Sequence, residues 1–183
     1  MTTKLAKTTK RTERLVRIHR KTIGQDHIDG YIIASTQQLV LLQPVRDRLD
    51  LDGYDVVRAA DISSISASPR GAFYEEALAL KRMRPKKPRA VALESMKALL
   101  ASVRDNYPLV VIHRERLFPN ECEIGRIRSL GRTSYRLHWI TPSADWEEDE
   151  RVFKLADITR VQFDGAYENT LAEVAAARIR KKR

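Results

Sequence analysis

The sequence predicts a mainly β protein with helices, in which two small five-stranded barrels follow one another and each is followed by a helix. Two observations predict this fold. An internal repeat relates the two halves of the 183-residue chain, and in each half β-branched or aromatic residues alternate with polar ones, as in short strands. Because five short strands bury a shared apolar face best by curling up, we expect each half to form a barrel.

The internal repeat consists of four pairs of matching segments in the same order. Their offset stays between 93 and 96 residues, which is typical of a duplicated unit. The matching segments are 15–20 with 109–114, 30–32 with 125–127, 60–63 with 156–159, and 74–75 with 167–168.

The alternation of residue types predicts five strands in each copy. In the first copy they lie at about 14–20, 30–36, 39–45, 54–59 and 62–67, and in the second at about 109–115, 123–130, 134–141, 151–155 and 158–163. Apolar residues at helical spacing then predict a helix after each copy. A further amphipathic helix is expected near 90–105, because its apolar stripe ends just before Pro108, and proline disfavours helical backbone in the preceding residue.

These elements define five predicted regions. They are a basic arm expected to be disordered at 1–12, the first barrel and its helix at 13–80, a basic connector with the amphipathic helix at 81–107, the second barrel and its helix at 108–177, and a basic tail at 178–183.

The order of elements in each half carries a resemblance to known barrels. A strand, a Gly-x-Ile strand, a third strand, a charged turn, a fourth strand and an Asp-Ile-Ser/Thr strand resemble the SH3-like and Sm-like barrels. More closely, residues 52–58, followed by Asp61-Ile62, and residues 155–161 resemble an uncharacterised group of bacterial proteins with tandem barrels of this kind. The resemblance implies the fold and carries no activity with it. The RNA-binding signatures of Sm proteins are missing from Gln37-Gln38 and from 129–131.

The net charge of +10 is unevenly distributed. Residues 1–21, 81–89 and 178–183 hold 19 basic residues and one acidic residue, whereas the other 147 residues hold 15 basic and 23 acidic ones. Basic segments of this kind can neutralise phosphates, although solvated tails that aid solubility are an equally simple interpretation. The candidate polyanion-binding residues there are Lys4, Lys7, Lys10, Arg11, Arg82, Arg84, Lys86, Lys87, Arg89, Arg180, Lys181, Lys182 and Arg183.

Arg126 and Arg128 are two further candidates for polyanion binding. Strand alternation places them on one face, which Arg136 and His138 extend. We favour the alternative that these cations pair with the acidic residues 147–150 of the next hairpin, because opposite charges on neighbouring strands pair readily.

No pattern points to catalysis, a metal or a cofactor. The chain lacks a nucleophile elbow, a glycine-rich phosphate loop and zinc-ligand spacing, and its single Cys122 lies in a predicted strand. The aspartates around Gly53, among them Asp55, are predicted to form a polar hairpin turn. His19 and His113 occupy equivalent repeat positions, which we interpret as one strand residue copied by duplication.

The sequence therefore predicts a non-enzymatic binding or adaptor protein that recognises a protein partner through its barrels. The alternative is a nucleic-acid-associated protein that binds RNA or DNA phosphates through its basic segments. We expect no membrane association, because no apolar run approaches the length of a membrane span. A lone cysteine and the lack of a secretory signal favour the cytoplasm, and the oligomeric state is left open.

Overall fold

A single antiparallel sheet runs through the whole protein. The computed structural model describes residues 14–21, 23 and 27–181, and these form ten strands and three α-helices. All ten strands belong to the same hydrogen-bonded sheet, which extends across both predicted barrel segments. The prediction of two separate five-stranded barrels is therefore wrong.

The strands themselves lie close to the predicted positions. The first half contains β1 (Val16–Arg20), β2 (His27–Ser35), β3 (Leu39–Pro44), β4 (Tyr54–Arg58), β5 (Ile62–Ala67) and helix α1 (Gly71–Leu80). Helix α2 (Met96–Asn106) leads into the second half, which contains β6 (Val110–His113), β7 (Cys122–Leu130), β8 (Ser134–Ile140), β9 (Trp146–Lys154), β10 (Arg160–Phe163) and helix α3 (Ala166–Lys181).

Two boundaries differ from the prediction in an informative way. Strand β9 begins at residue 146 rather than 151, because Trp146 and Glu150 already pair with β8, with an irregularity between them, and an edge strand keeps the acidic side chains in water. Helix α3 continues through Arg180 to Lys181, so most of the predicted basic tail is helical.

Both ends of helix α2 are determined by nearby residues. The Ser95 side chain caps the helix by accepting a hydrogen bond from the Ala98 backbone N–H at 3.1 Å. The helix ends at Asn106, because Tyr107 precedes Pro108 and has an extended backbone. No helix in the described part of the chain combines the length and the apolar character needed to cross a membrane.

The sheet has the strand order β5-β1-β2-β3-β4-β10-β6-β7-β8-β9. Each half contributes five adjacent strands, and in both halves the fifth strand lies beside the first. The halves meet where β4 pairs with β10, a region that we call the junction and that comprises residues 54–57 and 160–163. The edges of the sheet are β5 and β9.

The junction explains why the halves are not separate barrels. Val56, Val57 and Val161 are fully buried there, and the rings of Tyr54 and Phe163 stack at 5.5 Å. Pairing β4 with β10 satisfies the backbone groups of both strands and buries these side chains. Two independent barrels would instead leave both apolar strands at a surface.

In each half a glycine of the repeat lies very close to the backbone of the neighbouring strand. A Cβ atom at Gly30 would come within 2.6 Å of the Gln43 carbonyl oxygen, and one at Gly125 within 2.2 Å of the His138 carbonyl oxygen. Contacts that short exclude a side chain, so the glycines let β2 and β7 approach their neighbouring strands closely.

The central core lies between the two halves and beneath α2. Leu99, Leu100 and Val103 of the helix pack against both halves, including Val56 of β4 and Ile112 of β6. A second cluster lies among β1–β4, and a third joins α3 to the β8–β9 hairpin.

We expect Ile112→Ala to lower the free energy of unfolding by about 2–5 kcal/mol, because it leaves a cavity in the central core. Ile112 is fully buried and lies across from Val161. The measurement is the midpoint denaturant concentration of unfolding, compared between proteins whose free energy of unfolding depends on denaturant concentration with the same slope. Val174→Ala, at an exposed position of α3, should change stability by less than about 0.5 kcal/mol. Equal midpoints for the two variants would contradict this assignment of the core.

Candidate functional site

The junction carries a connected set of buried polar side chains on the face opposite α2. We call this set the junction network. Asp55 of β4 is fully buried and faces β10, where its Oδ1 atom accepts hydrogen bonds from Arg46 Nη2 at 2.6 Å and Gln162 Nε2 at 2.8 Å. The members of the network are Arg20, Arg46, Asp55, His113, Glu115, Thr159, Arg160 and Gln162.

His113 lies at the centre of the junction network. Its Nδ1 atom is 3.2 Å from Arg160 Nη2, and because a guanidinium only donates, Nδ1 accepts this hydrogen bond. Nε2 then carries the proton and donates to Gln162 Oε1 at 2.7 Å. Burial, together with the charge of Arg160, lowers the pKa of His113 to about 4. The imidazole is therefore neutral near pH 7, with both nitrogens engaged.

Glu115 connects the network to β1. Its carboxylate accepts two hydrogen bonds from the Arg20 guanidinium, at 2.6 and 2.7 Å, and both side chains are almost completely buried. Burial by itself raises the pKa of Glu115, but the hydrogen bond from Arg20 and the charge of Arg160 outweigh it and lower the pKa to about 2. Arg20 belongs to the first half and Glu115 to the second, so this ion pair holds the halves together.

Asp55 is held as a carboxylate by the same balance. Burial alone raises the pKa of its side chain, but the positive charges of Arg46 and Arg160 outweigh this effect and keep the pKa below the usual range. Asp55 was predicted both as part of the strand at 54–59 and among the turn aspartates around Gly53. The strand is confirmed and the turn is wrong for this residue, because β4 begins at Tyr54 and pairs Asp55 with Gln162.

A cleft of about 390 Å³ opens beside the network, lined by His113, Glu115, Asn120, Cys122 and Arg160 among others. The polar groups at its floor are already engaged with one another. Cys122 is exposed at the rim as a free thiol. Within the described residues, no three His, Cys, Asp or Glu side chains gather into a group that could hold a metal ion. The geometry supports joining the two halves better than it supports chemistry on a substrate.

The basic stripe on β7 and β8 is mostly neutralised by neighbouring strands. Arg128 Nε donates to Glu150 at 2.9 Å, and Arg136 lies 3.7 Å from the same carboxylate. Arg126 stacks its guanidinium on Trp146 at 4.7 Å from the ring centre. The predicted pairing of the stripe with the following hairpin is confirmed for Arg128 and Arg136.

The other candidate polyanion-binding residues have different surroundings. Those in the connector are exposed, and none forms an ion pair with the part of the chain that the structure describes. Hydrogen bonds hold the connector backbone on the protein, including Lys86 N–H to Gln43 at 2.7 Å. Arg180 and Lys181 are exposed at the end of α3. The remaining candidates, Lys4, Lys7, Lys10, Arg11, Lys182 and Arg183, lie outside the described residues.

The two edges of the sheet are the second candidate site. Strand β9 pairs with β8 on one side only, and its residues 147–149 and 151–152 are exposed. An unpaired edge presents backbone N–H and C=O groups that can hydrogen-bond an added strand. Acidic side chains occupy positions 147–150 in the first part of β9. Further along the strand, Val152 exposes 59% of its surface. Strand β5 forms the other edge, and Ile65 exposes 39% of its surface.

Sequence reasoning missed the junction network. Its members come from five separated stretches of the chain, and only two of them were singled out, His113 for its position in the repeat and Asp55 as one of the aspartates around Gly53. No local pattern marks Arg160 or Gln162, because their partners are chosen by the pairing of β10 with β4 and β6.

Comparison with family models, with curated proteins and with solved structures yields no match to this chain.

We expect acid to destabilise the protein through His113. Between its ordinary pKa of 6.5 and about 4, the unfolded chain binds a proton that the folded protein does not. The free energy of unfolding should therefore decrease as the pH falls through this range, by at most about 1.4 kcal/mol per unit. Glu115 should add a further loss below its ordinary pKa of 4.5, because its folded pKa is about 2.

Denaturant unfolding measured from pH 7 to pH 4 checks this dependence. His113→Gln removes the titrating group and should flatten the curve over this range. Val174→Ala, at an exposed position of α3, removes no titrating group and should keep the wild-type slope. An unchanged slope in His113→Gln would mean that another group is responsible.

Proposed function

We propose that this protein is a non-enzymatic binding protein that takes up an extended segment of a protein partner along β9. The observation that carries this proposal is the free edge of a nine-residue strand. A strand of that length offers enough backbone groups for an added peptide to continue the sheet, and main-chain hydrogen bonds then supply affinity.

The side chains of β9 favour particular partners. Glu147, Glu148 and Asp149 are exposed at its beginning, so an acidic segment would be repelled there. Val152 adds an exposed apolar contact further along the strand. A neutral or basic segment with an apolar residue at the matching position fits this edge best.

The buried polar groups support a binding role rather than catalysis. The His113 ring donates to Gln162 and accepts from Arg160, so neither ring nitrogen is available to a substrate. The exposed free thiol of Cys122 suits a reducing compartment. We therefore place this binding activity in the cytoplasm.

A synthetic strand peptide of alternating valine and lysine should bind the full chain, whereas a matched peptide of valine and glutamate should not. The physical reason is the charge of β9 combined with strand pairing. The measurement is a two-dimensional NMR titration, in which backbone amides of residues 146–154 should shift. Shifts confined to other strands would contradict the proposal.

Val152→Ser should weaken binding of the basic peptide, because it removes the exposed apolar contact and leaves the charge of β9 unchanged. Val174→Ser makes the same chemical change at an exposed position of α3 and serves as the matched control. Equal affinity of both variants would show that β9 is not the binding edge.

The connector supports a second candidate function, binding of nucleic acid. Its five candidate cations are exposed. Its backbone is held on the protein, because the Lys86 N–H donates to Gln43 and the hydroxyls of Tyr54 and Tyr107 donate to the carbonyl oxygens of Lys86 and Arg89. A fixed array of cations can contact several phosphates without reading base sequence.

Replacing Arg82, Arg84, Lys86, Lys87 and Arg89 with glutamine tests this second function. If the connector binds duplex DNA, the slope of log affinity against log salt should decrease by up to about 4.5 units, at roughly 0.9 for each lost contact. Fluorescence anisotropy with labelled duplexes of different sequence measures the slope. Arg128→Gln, whose guanidinium pairs with Glu150, is the control and should leave the slope unchanged.

A further inference from the structure

We propose that the segment bound by β9 is strand β5 of a second copy of this chain, so that copies join head to tail. This inference rests on the proposed function of the β9 edge and names its partner. The two free edges of the sheet are the counterparts of the two strands that already pair at the junction.

The strand order shows this correspondence. In the spatial order of the sheet, the strands of the first half end at β4 and those of the second half end at β9. In the second half β10 lies beside the first strand of its half, and in the first half β5 takes that place. The junction joins β4 to β10 within the chain. The equivalent contact between copies joins β9 of one copy to β5 of the next.

The residue registers agree with the strand order. Ile65 lies across from Ile18 in β1, as Val161 lies across from the equivalent Ile112 in β6. Leu41 of β3 and Arg136 of β8 are equivalent, because they lie across from Ala34 and Ser129, each four residues after the glycine of the repeat. Val152 lies across from Arg136, as Val56 lies across from Leu41. Ile65 is therefore the counterpart of Val161, and Val152 is the counterpart of Val56.

This correspondence accounts for two exposed apolar side chains. Val56 and Val161 lie across from each other at the junction and are fully buried. Val152 and Ile65 expose 59% and 39% of their surfaces, on opposite edges of the sheet. In the junction register they come face to face between two copies, and each covers the other.

The charges favour this pairing over a symmetric one. Two β9 strands placed side by side would bring their acidic residues 147–150 together, which like charges oppose. Strand β5 carries no charge, so it brings no like charge against the acidic residues of β9. The contact is therefore between two different edges. Repeating it gives a closed ring if the rotation from one copy to the next returns to the first copy, and an open filament if it does not.

The contact between copies lacks some features of the junction. The positions of the stacked Tyr54 and Phe163 are taken by Glu150 and Ala67, which cannot stack. The association should therefore be weaker than the internal pairing and should depend on protein concentration.

Sedimentation velocity of the full chain over a range of concentrations tests the proposal. The wild type should form complexes that grow with concentration. Val152→Glu and Ile65→Glu should each weaken association roughly tenfold or more, because each buries a charge in place of an apolar contact. Val174→Glu should associate like the wild type. Thermal unfolding of each variant establishes that it is folded.

Mixing the two edge variants gives the sharper measurement. The Val152→Glu chain keeps an intact β5, and the Ile65→Glu chain keeps an intact β9. An equimolar mixture should form one-to-one pairs that grow no further. A peptide spanning residues 62–70 should compete with wild-type association, and Val152→Glu should bind it more weakly than Val174→Glu does.

Three results would overturn the inference. They are a wild type that stays monomeric at every concentration, complexes that neither edge variant weakens, and a mixture that grows beyond pairs. If the wild type stays monomeric but the basic strand peptide still binds β9, only the inference about the second copy fails. If neither peptide nor second copy binds β9, the proposed function fails with it.

Discussion

The pairing of β4 with β10 is the constraint on which the rest of the structure depends. It joins Tyr54–Val57 of the first half to Arg160–Phe163 of the second through four residue pairs. One face of this short ladder is apolar and lies under α2, where Val56 and Val161 are fully buried. The other face carries Asp55, Gln162 and Arg160. Without this pairing, the central core would lose the contact between Val56 and Val161, and the junction network would lose the contact between Asp55 and Gln162.

The two faces have different roles in setting the register. A shift of one residue would turn Asp55 toward the apolar face and remove it from Arg46 and Arg160, at the cost of an uncompensated buried charge. The carboxylate of Glu115 is restricted in the same way by Arg20, on a strand of the other half. Apolar packing therefore supplies much of the stability, while the buried ion pairs restrict the alternatives. Because the register at the junction is restricted in this way, the positions of the edge strands β5 and β9 within the sheet are restricted as well.

The sequence located the strands far better than it located the site. Alternation marks β1 to β10 because it depends on residues two positions apart, and all ten strands exist close to their predicted places. The cross-strand pairing of Arg128 with Glu150 was also predictable, since a hairpin brings these charges together. Asp55 was predicted both in the strand at 54–59 and, because it lies near Gly53 among other aspartates, in a turn. Only its pairing with Gln162, more than 100 residues away, makes it a buried member of β4.

By itself the sequence determined which segments are strands, where helix α2 ends, and how the charge is divided between the basic segments and the remainder. These properties depend on neighbours within one turn of helix or two residues of strand. Tertiary structure decided which strands pair across the two halves. Strand β4 has the same local pattern whether it closes a barrel or joins β10, because both arrangements hydrogen-bond the same backbone groups. The difference lies in what covers Val56 and what neutralises Asp55, and those partners are brought together only when the whole chain folds.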